Sequence, residues 1–327
     1  MRLTKVQVGP LATSGATKIG VSQKPNGASA LALDGSTSTG YSATNIANTQ
    51  SGTGGGSFTL NGTLSVGSPA VAQLGGKSVV ILSAGNDSGI TFTVKGTQAV
   101  GSGLGGVVYA QETVTGTNVS RTATRTKFLT VTAITMSAPA AGNVSAGTNG
   151  IVTLDTARRV LFTPGGNDAS ITWTVYGTDW NGELISEVVT GVASASTTYT
   201  NYDFSTISAI WPSGASASTL TVGTNGIASS RPIFLDRYAL APTSLEVDVT
   251  GTVNYMVQQS LNDPNDVGYT AVNWVSHPDP AFVNSAVTAQ SEYGYIPTVT
   301  RITLNSETAG TGHQVVYSVL QASGTVM

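Results

Sequence analysis

Apolar and polar residues alternate with a period of two along much of the chain. Ile90, Phe92 and Val94 are separated by Thr91 and Thr93. That spacing puts the large apolar groups on one face of a strand and the hydroxyls on the other. Ile171, Trp173 and Val175 repeat the pattern with Thr172 and Thr174 between them. The same reasoning predicts strands over 58–64, 79–82, 107–114, 128–134, 245–249 and 315–320, with Val253, Tyr255 and Val257 lining one face of another. Clusters of Gly, Asn, Asp, Ser and Pro at 83–89 and 164–168 read as turns between strands. No stretch has the 3.6-residue period of an amphipathic helix. Short strands between turn signals predict β-sandwiches rather than βαβ units.

Self-comparison adds an internal repeat. Ile90–Thr97 (ITFTVKGT) recurs as Ile171–Thr178 (ITWTVYGT), each shortly after an Asn-Asp pair at 86–87 and 167–168. Glu112–Gly116 matches Glu187–Gly191, Phe128–Ile134 matches Phe204–Ile210, and Gly147–Ile151 matches Gly223–Ile227, all in the same order. The matches predict a duplicated module, with a Gly-rich insertion near 100–106 in the first copy. The expected architecture is all-β, with tandem β-sandwich domains at 76–154 and 155–233. They are preceded by a Gly/Ser/Thr-rich segment at 1–75, read as an extended N-terminal arm with one or more strands. A third β domain is expected at 234–327. The arm is expected to order against neighbouring subunits, or else to serve as a flexible linker, so that removing residues 1–56 leaves the repeats folded.

Composition narrows the class. The 48 Thr, 36 Ser and 39 Gly make 123 of 327 residues, a mixture suited to strands and turns. With no Cys, disulfide scaffolds and thiolate-zinc sites are excluded. A net charge of -3 with 40% hydrophobic residues argues against general disorder. The 14 Lys and Arg are scattered, so no nucleic-acid partner is expected. No run of about 18 apolar residues is present, so no spanning helix or membrane partner is expected. The residues after Met1-Arg2-Leu3-Thr4-Lys5 lack the apolar core of a secretory signal.

Residues suited to catalysis or metal binding are few. The two histidines, His277 and His313, have no partner at metal-ligand spacing. His277, before Pro278-Asp279-Pro280, reads as a hydrogen-bonded loop residue. Gly101–Gly106 (GSGLGG) formally fits a dinucleotide fingerprint, but a strand pattern rather than a helix follows it, so it reads as a hairpin tip. Asp168, Asp179, Glu183 and Glu187 are close enough in sequence to raise a glycosidase-like pair, yet they read as solvated surface positions. Asn167-Asp168 and residues 263–266 (DPND) offer oxygen ligands for calcium, but read equally as turn formers. No catalytic residue, metal or cofactor is expected. Among the four tryptophans, Trp173 replaces Phe92 of the first copy and reads as core. Trp180, at the tip of the 179–182 turn (DWNG), is the candidate partner contact, together with Gly54, Gly55 and Gly56 of the arm.

The motifs at 84–97 (AGNDSGITFTVKGT), 156–191 and 204–226, with TVNYMVQQSLNDPND at 252–266 and NWVSHPDP at 273–280, resemble modules of structural proteins from tailed-bacteriophage virions. The resemblance implies a head decoration or cementing protein bound to the major capsid protein as a homo-oligomer, with a trimer favoured. The location it implies is the virion, assembled in the host cytoplasm. The alternative is a neck or tail protein, or a receptor- or glycan-binding module contacting its target through Trp180 and loop tips.

Overall fold

A computed structural model describes residues 2–12, 19, 21–27, 29–35, 37–100, 106–236, 238–239, 243–306 and 313–323. Strand accounts for 54% of the structure and helix for 3%. The strands form four antiparallel sheets. The α-helix among the described residues is a single turn, Pro264–Val267, capped by the Asp263 carboxylate.

Two sheets enclose the first core. One runs Ser65–Val66, Val71–Lys77, Phe128–Met136, Thr91–Ala99, Val107–Thr115; the other runs Arg121–Ala123, Val79–Ser83, Asn143–Thr148, Ala47–Ser51. Phe92, Val94, Val131 and Ile134 from one layer meet Val79, Ile81 and Val144 from the other, all buried. Each large apolar side chain so buried contributes roughly 1.5–3 kcal/mol. The second core is built alike around Phe162, Trp173, Val175, Ile207 and Ile210. There the Trp173 ring is stacked on Phe162 at 4.9 Å, so Trp173 is a core residue. The strand Ile151–Pro164 serves both layers of this unit. Its first part pairs with Phe204–Pro212, and its second with Leu220–Ser229.

The two units share backbone devices position for position. Asp87 accepts a hydrogen bond from the Ala141 amide, and Asp168 from the Ala217 amide. Thr124 accepts from the Val79 amide and donates to the Thr126 carbonyl; Thr200 does so with Val160 and Tyr202. The Thr97–Thr130 hydroxyl pair reappears as Thr178–Thr206, each at 2.7 Å. Gly96 and Gly177 pack onto the carbonyls of Thr130 and Thr206 so closely that a β-carbon would overlap them.

The N-terminal segment lies within its own chain. Arg2–Ala12 pairs with Gln314–Ser323. Ile19, Val21, Leu31 and Leu33 belong to the second core, and Ile46, Phe58, Leu60, Ala72 and Leu74 to the first. An arm that orders only against neighbouring subunits is therefore not what the fold contains, and a chain lacking residues 1–56 loses parts of two cores. The strand predicted at 58–64 is also absent. Phe58 and Leu60 are buried as the alternation requires, but the backbone bonds go to scattered partners, Phe58 to Ile134, Gly62 to Ile46 and Leu64 to Asn45, and side-chain amides hold the residues between. Gln50 both donates to and accepts from Thr59, and Asn48 bonds Asn61 through its amide N–H and its side chain.

The C-terminal unit pairs Thr243–Thr250 with Gln314–Ser323 and Ala289–Tyr293. This layer packs on Asn254–Ser260 and Val299–Ser306 around Tyr255, Phe282, Tyr293 and Tyr317. Thr300 lies between the hydroxyls of Tyr293 and Tyr317, at 2.8 and 2.7 Å, which satisfies two buried phenols. Substituting Gly177→Ala is expected to lower stability by about 1–3 kcal/mol or more, and Gly96→Ala similarly, read as a drop in the urea midpoint. A similar exchange at Gly54, which has open space around it, should leave the midpoint unchanged.

Candidate functional site

Most of the residues singled out in the sequence have structural duties. Asp87 and Asp168 are buried at 1% exposure, not solvated. They accept backbone N–H groups that would otherwise be lost inside the turns, and Asp168 also takes the Ser216 hydroxyl. Asp179 is buried too; its carboxylate accepts from the Asn181 and Glu183 amides and so ties its own hairpin. Glu187 is half-buried and holds the amides of Asn201 and Tyr202. Of the four carboxylates considered, only Glu183 is exposed. Asp263 and Asp279 each accept an amide two residues on, the turn role expected of 263–266. No cluster of three metal-ligating side chains occurs among the described residues.

Trp180 is half-buried, with its ring tilted against Phe234 at 6.4 Å. Gly54, Gly55 and Gly56 form a turn beside residues 136–140. Gly55 and Gly56 have positive φ, and the Gly56 carbonyl accepts from the Met136 amide. The 101–105 part of the Gly-rich motif lies outside the described residues.

His277 is 2% exposed. Its Nδ1 accepts from the Asp279 amide at 3.1 Å, and its ring packs on Phe282 and Tyr293. Burial holds its pKa below the ordinary 6.5, opposed by the Asp279 charge. Such a group favours the folded state while neutral, so the unfolded chain takes up the proton first as pH falls.

The structure assembles a different place, a cleft of about 400 Å³ where the two units meet. Its floor is the outer face of the second unit's sheet. Tyr176 pairs with Ser186 and Ala209, while Thr174 pairs with Val188 and Trp211. Tyr176 and Trp211 touch at 4.4 Å with their planes tilted by 50°. Leu184, at 87% exposure, and Val188, at 61%, stand beside them in solvent. The opposite wall is the turn at 125–127 of the first unit. Glu112 accepts the amides of Arg125 and Thr126 and thereby fixes the turn. The Arg125 guanidinium lies 5.1 Å over the Trp211 ring and donates to the Pro212 carbonyl at 2.7 Å. Lys127 is exposed at the mouth.

The first unit supplies an internal comparison. At the same register its outer face carries Lys95 opposite Gln111 and Ala133, and Thr93 opposite Thr113 and Thr135. At those register positions the second unit has Tyr176, Val188 and Trp211 where the first has Lys95, Thr113 and Thr135, and Leu184 where the first has Tyr109. Setting residues 90–135 beside 171–211 already shows those differences in the sequence. Recognising them as one patch required knowing which positions face outward and that Arg125 reaches across.

No protein-family model matches the chain, and no curated protein matches it. The C-terminal unit is expected to lose stability as pH falls below 6.5, the ordinary value for His277, and a His277→Gln variant should show a flatter acid limb in thermal melts between pH 7 and 5.

Proposed function

We propose that the chain is a structural component of a tailed-bacteriophage virion, built on one β-sandwich module used twice. In this reading it is a decoration or cementing protein that binds the major capsid protein lattice as a symmetric homo-oligomer, with a trimer favoured. The resemblance of the repeat and C-terminal motifs to such virion proteins supports it. The observation that favours assembly is the edge strand Val107–Thr115. It ends its sheet and exposes large apolar groups, with Val107 at 61% and Tyr109 at 65%. Long, apolar, unpaired edges are usually covered or charged in isolated proteins. Addition of a strand from another chain satisfies the free N–H and C=O groups and covers those side chains together.

On this reading, antibody raised against the chain labels the heads of phage particles that contain it. Particles that carry no label at any station would exclude a virion role. In sedimentation, the wild-type protein is expected to run as an oligomer, and Val107→Lys with Tyr109→Lys is expected to shift it toward the monomer. A wild-type protein that is monomeric at all concentrations, alone and with capsid shells, would remove the assembly role from this edge.

A further inference from the structure

We propose that the cleft between the 125–127 turn and the outer face of the second unit binds an acidic saccharide, a chain of pyranose rings bearing carboxylates. The proposal does not rest on the virion reading. The cleft's volume lies within the roughly 300–1,000 Å³ of small-ligand sites. Tyr176 and Trp211 provide an aromatic surface, and Leu184 extends it with an apolar group left in solvent. The C–H face of a pyranose covers such a surface, while its hydroxyl rim reaches the Ser186 and Ser208 hydroxyls that also line the cleft. Arg125 and Lys127 flank the surface, and none of the lining residues is acidic. In a chain whose net charge is -3, that local imbalance favours an anionic group, and a planar guanidinium matches a carboxylate.

Two other occupants fit less well. An apolar ligand needs most of its surface enclosed, whereas Leu184 and Lys127 leave this cleft open. A nucleotide fits the aromatic and cationic groups, but the 50° tilt between Tyr176 and Trp211 gives no parallel slot for a base. Nor does the cleft contain a helix N-terminus for phosphate. The matching face of the first unit has Lys95 and Thr135 in place of Tyr176 and Trp211, with Tyr109 at the register of Leu184, and so serves as a control for the aromatic pair on the same scaffold.

Titration calorimetry of the full-length protein with a galacturonic acid trimer tests the assignment, with a neutral galactose trimer and adenosine monophosphate as comparison probes. The acidic trimer is expected to bind about tenfold more tightly than the neutral one, with affinity falling as salt screens the exposed charges. Lys127→Glu and Leu184→Ser, both at exposed positions, are expected to weaken binding by about tenfold and to leave circular dichroism unchanged, whereas Lys95→Ala has no effect. The proposal is overturned if the acidic trimer fails to bind at millimolar concentration or binds no better than the neutral trimer. It is equally overturned if adenosine monophosphate binds more tightly, or if neither cleft variant changes the affinity.

Discussion

The packing of the two sandwiches depends on a strap of four residues, Ala30 to Leu33, threaded between them and exposed by no more than 3%. Burying a backbone leaves each N–H and C=O without water, and an unmet group costs as much as a lost hydrogen bond. Here every one is met. Ala30 exchanges two bonds with Ala123 of the first unit, and Leu31 donates to Ile210 of the second. The Asn149 amide receives from Leu33 and donates to Leu31, the Gln23 amide does both with Ala32, and the Ser38 hydroxyl donates to Leu33. The apolar side chains of the strap enter different cores, with Leu31 and Leu33 in the second and Ala30 and Ala32 in a small cluster with Val80 and Ala123. Arg121 clamps Asp34 at 2.6 Å at the end of the strap.

That constraint explains what was legible in the sequence. Period-two alternation placed strands at 90–94, 107–114, 128–134 and 245–249 because half-buried strands encode their faces locally. The strap has no such code. Its partners are 5 to 179 residues away, and a Gly/Ser/Thr-rich stretch reads as linker unless those partners are known. The 58–64 segment failed differently. Its alternation reported burial correctly, but nothing local says that Asn48 and Gln50 will supply the pairing that a neighbouring backbone normally supplies.

The two units hold the same backbone devices. The aspartates at the first turn, the threonine that joins two strands, the hydroxyl pair and the crowded glycine each satisfy or clear backbone in both. The outer face has no such duty, so the hydrogen-bond skeleton is the same with Lys95, Thr113 and Thr135 in the first unit and Tyr176, Val188 and Trp211 in the second. The candidate site was therefore present in the sequence as differences between the two units. Its second wall was not, because Arg125 reaches it only through the strap that sets the two units side by side.

The 9% charged residues acquire a different meaning in this light. Asp87, Glu112, Asp168, Asp179, Glu187, Asp236, Asp263 and Asp279 each accept a backbone N–H group, which accounts for eight of the 17 acidic residues. Their charge is directed at turns rather than distributed over the surface. Hydroxyls keep the exposed strand faces wet, and the carboxylate of Glu112 lies behind the 125–127 turn, where it positions Arg125 through the backbone. A low-charge surface also leaves few anions to compete for the guanidinium of Arg125 and the ammonium of Lys127. The same economy of acidic groups that ties the loops thus keeps this aromatic, cation-flanked cleft electrostatically open to a ligand.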